Sequence, residues 1–111
     1  MAEEIITCET CEERDWTVLA LAGRLDRTNS AGVGEKAEAV FASSQKFAVD
    51  VKELVYLSSA GIRILLRLAK MAKAGKKSFA ICGAEGFVKE VLEDSNMNVL
   101  VTICPDRSQL E

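Results

Sequence analysis

The chain is 111 residues long, with 49% hydrophobic residues, a net charge of −3, four cysteines and no histidine. That length suits one domain, and that apolar content supplies a packed core, which argues against a disordered chain. No basic run with interleaved aromatics exists, so nucleic acid is not an expected partner, and the missing histidine removes Ser–His and Cys–His catalysis.

The N-terminus, Met1-Ala2-Glu3-Glu4, is acidic and lacks a long apolar stretch, so no signal peptide is expected. Charges interrupt every apolar run short of a membrane span, so a cytoplasmic protein without direct membrane insertion is expected. Residues 5–9 read as a short edge strand and residues 11–15 as a polar turn. Cys8 and Cys11 have C-x-x-C spacing, but their odd offset in a strand points them to opposite faces. A closed zinc site would need Cys82 and Cys104 to converge as well. Free thiols acting as small hydrophobes are expected, with no metal and no cofactor.

Residues 16–21, Trp-Thr-Val-Leu-Ala-Leu, form a nearly continuous apolar strand that suits burial on both faces and joins the first strand in a hairpin. Gly23 is expected to end it. Residues 24–29 read as a loop, with Thr28, Asn29 and Ser30 as candidate N-caps. A helix follows to about Ala42, with Val33, Ala37, Val40 and Phe41 on one stripe. Gly32 and Gly34 make only a Gly-x-Gly fragment, too weak a signal for a phosphate loop.

Residues 46–51 form a third, central strand. Asp50 near its end reads either as a carboxylate capping nearby backbone or as a charge beside the serine pair Ser58 and Ser59. Residues 59–73 form the longest helix, with Ile62, Leu65, Leu66, Ala69 and Ala72 as its core face. Arg63, Arg67 and Lys70 make a basic stripe, with Arg63 also readable as a plain solvated charge. Ile64, Leu68 and Met71 widen the apolar arc to roughly 200°. These three pack on a neighbouring helix, or Ile64 and Met71 join the basic stripe in a partner surface.

Gly75 is expected to cap this helix, and residues 77–82 form a fourth strand. A helix over residues 85–94 turns Phe87, Val88, Val91 and Leu92 inward. Residues 96–98 break it, residues 99–103 make a last strand, and residues 105–111 form a polar tail expected to fray. The order β-β-α-β-α-β-α-β implies one α/β domain over residues 1–111, ordered over about 5–104. Its sheet is mixed and mostly parallel, four- to five-stranded, with helices mainly on one face.

Ser59 lies where the longest helix begins. Its hydroxyl reads as an ordinary N-cap, or as a site where a phosphate meets unpaired backbone N–H groups and the positive end of the helix dipole.

Three stretches carry a resemblance. They are Gly23-Arg24-Leu25-Asp26, then Val49-Asp50-Val51 with Tyr56-Leu57-Ser58-Ser59-Ala60-Gly61-Ile62, and Phe87-Val88-Lys89-Glu90-Val91-Leu92. Together they resemble the STAS domain, named for sulfate transporters and anti-sigma factor antagonists, over about residues 5–104. In stand-alone members a serine kinase that is itself an anti-sigma factor phosphorylates one hydroxyl of the serine turn. Aligning on Gly61 places that acceptor at Ser59. Ser58 stands where the family often has Asp and reads as a cap or turn residue, and Ala60 stands where the family often has Ser or Thr. Asp26 matches a loop aspartate close to the acceptor, and it reads equally as a loop residue capping the first helix.

The resemblance implies a non-catalytic anti-sigma factor antagonist that binds a serine-kinase anti-sigma factor, with ATP held by that partner. Phosphorylation at Ser59 releases it and a phosphatase restores it. Asp26, Ser58 and Gly61 surround the acceptor, and Arg63, Ile64 and Met71 contact the partner. A homodimer is compatible with this reading. The alternative is a STAS accessory subunit holding the ATPase of an ABC-type membrane transport assembly, with an architectural Ser59. A small serine enzyme ranks last, since neither a histidine base nor a nucleophile elbow is present.

Overall fold

The computed structural model describes residues 6–110. Five strands form one sheet in the spatial order β1-β2-β3-β4-β5. They are β1 (Ile6–Glu13), β2 (Trp16–Leu25), β3 (Lys46–Leu57), β4 (Ser78–Cys82) and β5 (Thr102–Cys104). The first pair is antiparallel and the remaining pairs are parallel. The helices are α1 (Ser30–Ala42), α2 (Ser59–Gly75), α3 (Gly86–Asp94) and α4 (Met97–Leu100). The expected α/β architecture therefore holds, with β3 at the centre. Among the described residues no helix is long and apolar enough to cross a membrane.

Alternation along β3 divides the core. Phe47, Val49 and Val51 face the helices, while Ala48 and Asp50 face the other side. Phe47 anchors the helical side, edge-on to Phe41 at 5.8 Å and stacked on Phe79 at 5.9 Å. All four helices pack on that side. The opposite side buries small residues, Ala48, Ala80 and Cys82 among them, with Trp16 at one end. Cys8 packs with the helical side and Cys11 with the opposite one, as their odd spacing requires.

Several boundaries differ from the sequence reading. The hairpin strand β1 runs on through Cys11 to Glu13, and Arg14, at φ 57°, and Asp15 make a tighter turn than expected. The expected strand start at Ile5 lies outside the described residues. Gly23 does not end β2. At φ 108° it adopts a conformation that costs glycine least, beside a register shift. Strand β3 is twice bulged against β2, since Ala20 and Ala22 face Asp50 and Glu53, and Gly23 and Arg24 face Leu54 and Tyr56. Val55 is left without a facing residue at the second bulge and projects into solvent.

Helix α2 is longer than expected and ends on Gly75, with Lys76 taking the left-handed turn at φ 56°. The Lys77 amide then donates to the Ala72 carbonyl at 2.9 Å, closing a Schellman-type end. Leu68 is 0% exposed and belongs to the core, whereas Leu66 and Ala69 are only half-buried at its margin. Residues 97–100, the first two of the expected last strand among them, are helical instead. Asn96 turns left-handed at φ 61°, Met97 plugs the core, and only Thr102–Cys104 reaches the edge of β4.

Through Leu110 the polar tail packs on the domain, contrary to the expected fraying. After Pro105 it makes a 3₁₀ turn, Arg107–Gln109, on the helix-free side of the sheet. Leu110, 1% exposed, packs with Trp16 and its neighbours. The Arg14 guanidinium donates to the Ser108 carbonyl at 2.8 Å and to the Leu110 carbonyl.

Candidate functional site

Two chain turns meet where β2 and β3 end. Leu25 pairs with Leu57, and the Ser58 amide donates to the Leu25 carbonyl at 2.9 Å. The bulges in β3 set this register, so the 24–29 loop and the serine turn arrive side by side.

Ser58, extended at φ −89° and ψ 171°, is the N-cap of α2. Its hydroxyl accepts from the Gly61 amide at 3.3 Å, and its carbonyl accepts from the Ile62 amide at 2.9 Å. Ser59 is the first helical residue and is exposed. The ordinary capping role thus falls to Ser58, which leaves the Ser59 hydroxyl outside the capping arrangement. Gly61 is buried beneath the turn. A Cβ there would lie 2.7 Å from Leu57 Cδ1 and 2.9 Å from Leu25 Cγ, so the turn sits this deep only with glycine.

Asp26 builds the facing wall. Its Oδ1 accepts from the Thr28 hydroxyl at 2.6 Å and from the Thr28 amide at 2.9 Å. These bonds, the hydroxyl's first, hold its carboxyl below the ordinary aspartate range, so it is ionised at neutral pH. Asn29, a candidate cap from sequence, precedes α1 but does not cap it with its side chain. Its Oδ1 accepts from the Asp26 amide at 3.0 Å and its Nδ2 donates to the Arg24 carbonyl at 2.8 Å, which braces the loop.

Arg24, Asp26, Arg27, Thr28, Tyr56, Ser58 and Ser59 line a cleft of about 370 Å³. Arg24 and Tyr56 belong to the motif stretches, but neither they nor Arg27 are expected site residues from the sequence. The Arg24 guanidinium sits 4.3 Å from the Tyr56 ring centroid, and Tyr56 stacks on Phe87 at 5.7 Å with 9° between the rings. Phe87 therefore does not point inward as expected. It is 50% exposed and backs the Tyr56 ring from outside the cleft lining. Arg24 and Tyr56 are facing residues in the ladder, a pairing that only the bulged register reveals.

Asp50 is not part of this cleft. It is 7% exposed on the helix-free side, where Oδ1 accepts from the Lys52 amide at 2.9 Å and Oδ2 accepts from Arg107 Nε and Nη2 at 2.9 and 2.7 Å. Its backbone-capping reading stands, and its reading as a charge beside the serines is replaced by this ion pair. Along α2, Arg63 is exposed, while Ile64 and Met71 are half-buried against the core. Ile64 faces Gly34 of α1, where a Cβ would come within 3.4 Å. Arg67 pairs with Glu38 at 2.7 Å, so the basic stripe is partly neutralised.

Chemically the cleft offers the hydroxyls of Thr28, Tyr56, Ser58 and Ser59, of which Thr28 is bonded to Asp26 and Ser58 to the Gly61 amide, with two guanidinium groups, one ionised carboxylate and a helix N-terminus. Among the described residues no cluster of three or more metal-ligating side chains occurs.

Comparison with known families decides the lineage. Residues 8–102 match a family described as Mlab, STAS domain. The chain belongs to the STAS domain family. An anti-sigma factor antagonist from Mycobacterium paratuberculosis shares this STAS fold with a TM-score of 0.81 at 21% identity, over 90% of this chain and 86% of that one. The anti-sigma factor antagonist SpoIIAA in its unphosphorylated form aligns with a TM-score of 0.73 at 15% identity, over 87% of each chain. The phosphorylated form of SpoIIAA, a Bacillus cell fate determinant, gives 0.68 at 14% identity, over 87% of this chain and 90% of that one. No curated protein sequence matches the chain.

Proposed function

We propose that this STAS domain is an anti-sigma factor antagonist: a non-catalytic module that binds a serine-kinase anti-sigma factor and is released from it by phosphorylation of Ser59. The observation that carries this reading is the division of labour between adjacent serines. Ser58 caps α2, and Ser59 stands exposed in the cleft with no such task. Antagonists among the structures sharing this fold include SpoIIAA, solved with and without phosphate.

The switch is electrostatic. Phosphorylation adds about −1.5 to −2 charges and three acceptor oxygens. In the free protein the start of α2 accommodates them in a favourable field. Within an interface, desolvating that dianion costs several kcal/mol, and about 1.4 kcal/mol already weakens binding tenfold. No refolding is required. Exposed Arg63, one turn beyond Ser59, and half-buried Ile64 and Met71 carry the partner surface along α2. The kinase supplies ATP, and a phosphatase resets the module.

The test is to incubate the protein with its cognate serine kinase and ATP and to map the modified residue. Modification at Ser59 supports the reading, and modification elsewhere with Ser59 untouched overturns it. Stable capture of a transport ATPase with its permease, indifferent to Ser59→Asp, favours the transport-subunit alternative.

A further inference from the structure

A second surface lies at the other end of α2, about 20 Å from Ser59 at 1.5 Å rise per residue. Met97 anchors α4 in the core, but the next turn leaves Val99 76% and Leu100 58% exposed. Between these two and the end of α2 runs a groove of about 330 Å³, floored by Ala69, Ala72 and Phe79 and rimmed by Lys70, Lys73 and Lys77. Lys77 is a fixed wall, because its ammonium donates to the Phe41 and Ala42 carbonyls at 2.8 and 3.2 Å. Lys70 and Lys73 are exposed.

Two features define what fits. No carboxylate lines the groove, although the chain as a whole carries a charge of −3, so the cationic rim runs against the overall balance. Exposed apolar side chains beside that rim lose water only when matching apolar groups cover them. A groove accepts side chains projecting from a rod, whereas a bilayer surface meets a convex patch.

We propose that this groove docks an acidic amphipathic segment of a partner protein, distinct from the Ser59 surface. Its apolar side chains lie on Phe79, Val99 and Leu100, and its flanking Asp and Glu residues reach Lys70 and Lys73. Complementary charge sets orientation and speeds encounter, while the apolar contacts hold the complex.

The test uses the full chain and a fluorescein-labelled helical peptide with leucines at i, i+3 and i+7 flanked by glutamates. The control is the same peptide with lysines in place of the glutamates, and anisotropy is read at low and at physiological salt. The glutamate peptide is expected to bind at least about tenfold tighter than the lysine peptide, with the gap narrowing as salt rises. The double variants Lys70→Glu with Lys73→Glu and Val99→Ser with Leu100→Ser should each weaken binding about tenfold, while Ser59→Asp leaves it unchanged. All four substituted side chains are exposed, and an unshifted urea midpoint shows that the fold persists.

Equal affinity for the two peptides, absent saturable binding, or indifference to either double variant overturns the proposal. So does retention on phosphatidylglycerol vesicles that the same variants abolish, which assigns the patch to a lipid surface. Self-association in sedimentation that they abolish assigns it to a second copy and overturns the proposal equally.

Discussion

Ser58 and Leu25, thirty-three positions apart, are joined by one backbone hydrogen bond of 2.9 Å that locks the start of α2 to the end of β2. Through it the Asp26 loop and the serine turn share one cleft. Gly61 lies directly beneath, against the Leu25 and Leu57 side chains.

Gly61 is the most sensitive position of the turn. Leu25 and Leu57 are buried and cannot retreat, so a methyl at Gly61 overpacks the site at a cost of about 1–3 kcal/mol, against about 1 kcal/mol gained in helix propensity. Gly61→Ala should lose about 1 kcal/mol net, and Gly61→Val, bulkier and β-branched, should lose more. Urea unfolding measures both. Wild-type stability in Gly61→Val would contradict the close packing.

Arg107 holds the C-terminal turn onto the sheet through the buried Asp50 carboxylate. Arg107→Ala removes two charge-assisted bonds and leaves the buried carboxylate with only the Lys52 amide, so a loss of about 2 kcal/mol is expected. Proteolysis should then trim the chain after Pro105. Unchanged stability and trimming would mean that the tail adds nothing.

Asp26 links the site to pH. Its folded-state pKa is depressed, chiefly by the Thr28 hydroxyl, so its contribution is full above the unfolded pKa and fades as pH falls through the folded value. Thr28→Val removes that donor and should raise the Asp26 pKa toward the ordinary range, with a smaller loss of stability on acidification. A carboxyl-carbon NMR titration reads this directly. An unmoved Asp26 titration would refute the stated cause.

Cys82 makes a chemical prediction. Burial, reinforced by the Asp50 charge, pushes its thiol up to about 12. At pH 8 Cys82 should resist alkylation by iodoacetamide in the native protein and react promptly in urea, as peptide mapping would show. Equal labelling in both states would contradict a closed sheet face there.

Much of the fold is legible from apolar patterning, because β2 and the start of β3 are apolar runs and α2 buries a strong, regular stripe, while α1 buries a sparser one through Val33, Ala37 and Phe41. The ends are less legible, because tertiary contacts set them. Lys52, Glu53 and Val55 break the alternation of β3 where it bulges, which hides its last turn of ladder and with it the Arg24–Tyr56–Phe87 stack. Phe87 reads as a core residue by helical spacing, yet its ring finds Tyr56 at the rim. The tail looks free because its composition is polar, while its anchors, Asp50 and Trp16, lie far away in sequence. Val99 and Leu100 read as strand until burial of Met97 commits the segment to a helical turn. The serine turn is legible as a helix start with Ser58 in a cap or turn role, and the extended backbone of Ser58 makes it the N-cap.

The central claim is that charge at Ser59 decides whether a partner stays bound. Titration calorimetry of the cognate serine-kinase anti-sigma factor against wild type, Ser59→Ala and Ser59→Asp tests it most directly. Wild type and Ser59→Ala should bind alike, and Ser59→Asp should bind at least about tenfold more weakly, a loss of about 1.4 kcal/mol. Equal affinity for all three, with the fold intact, would contradict the account.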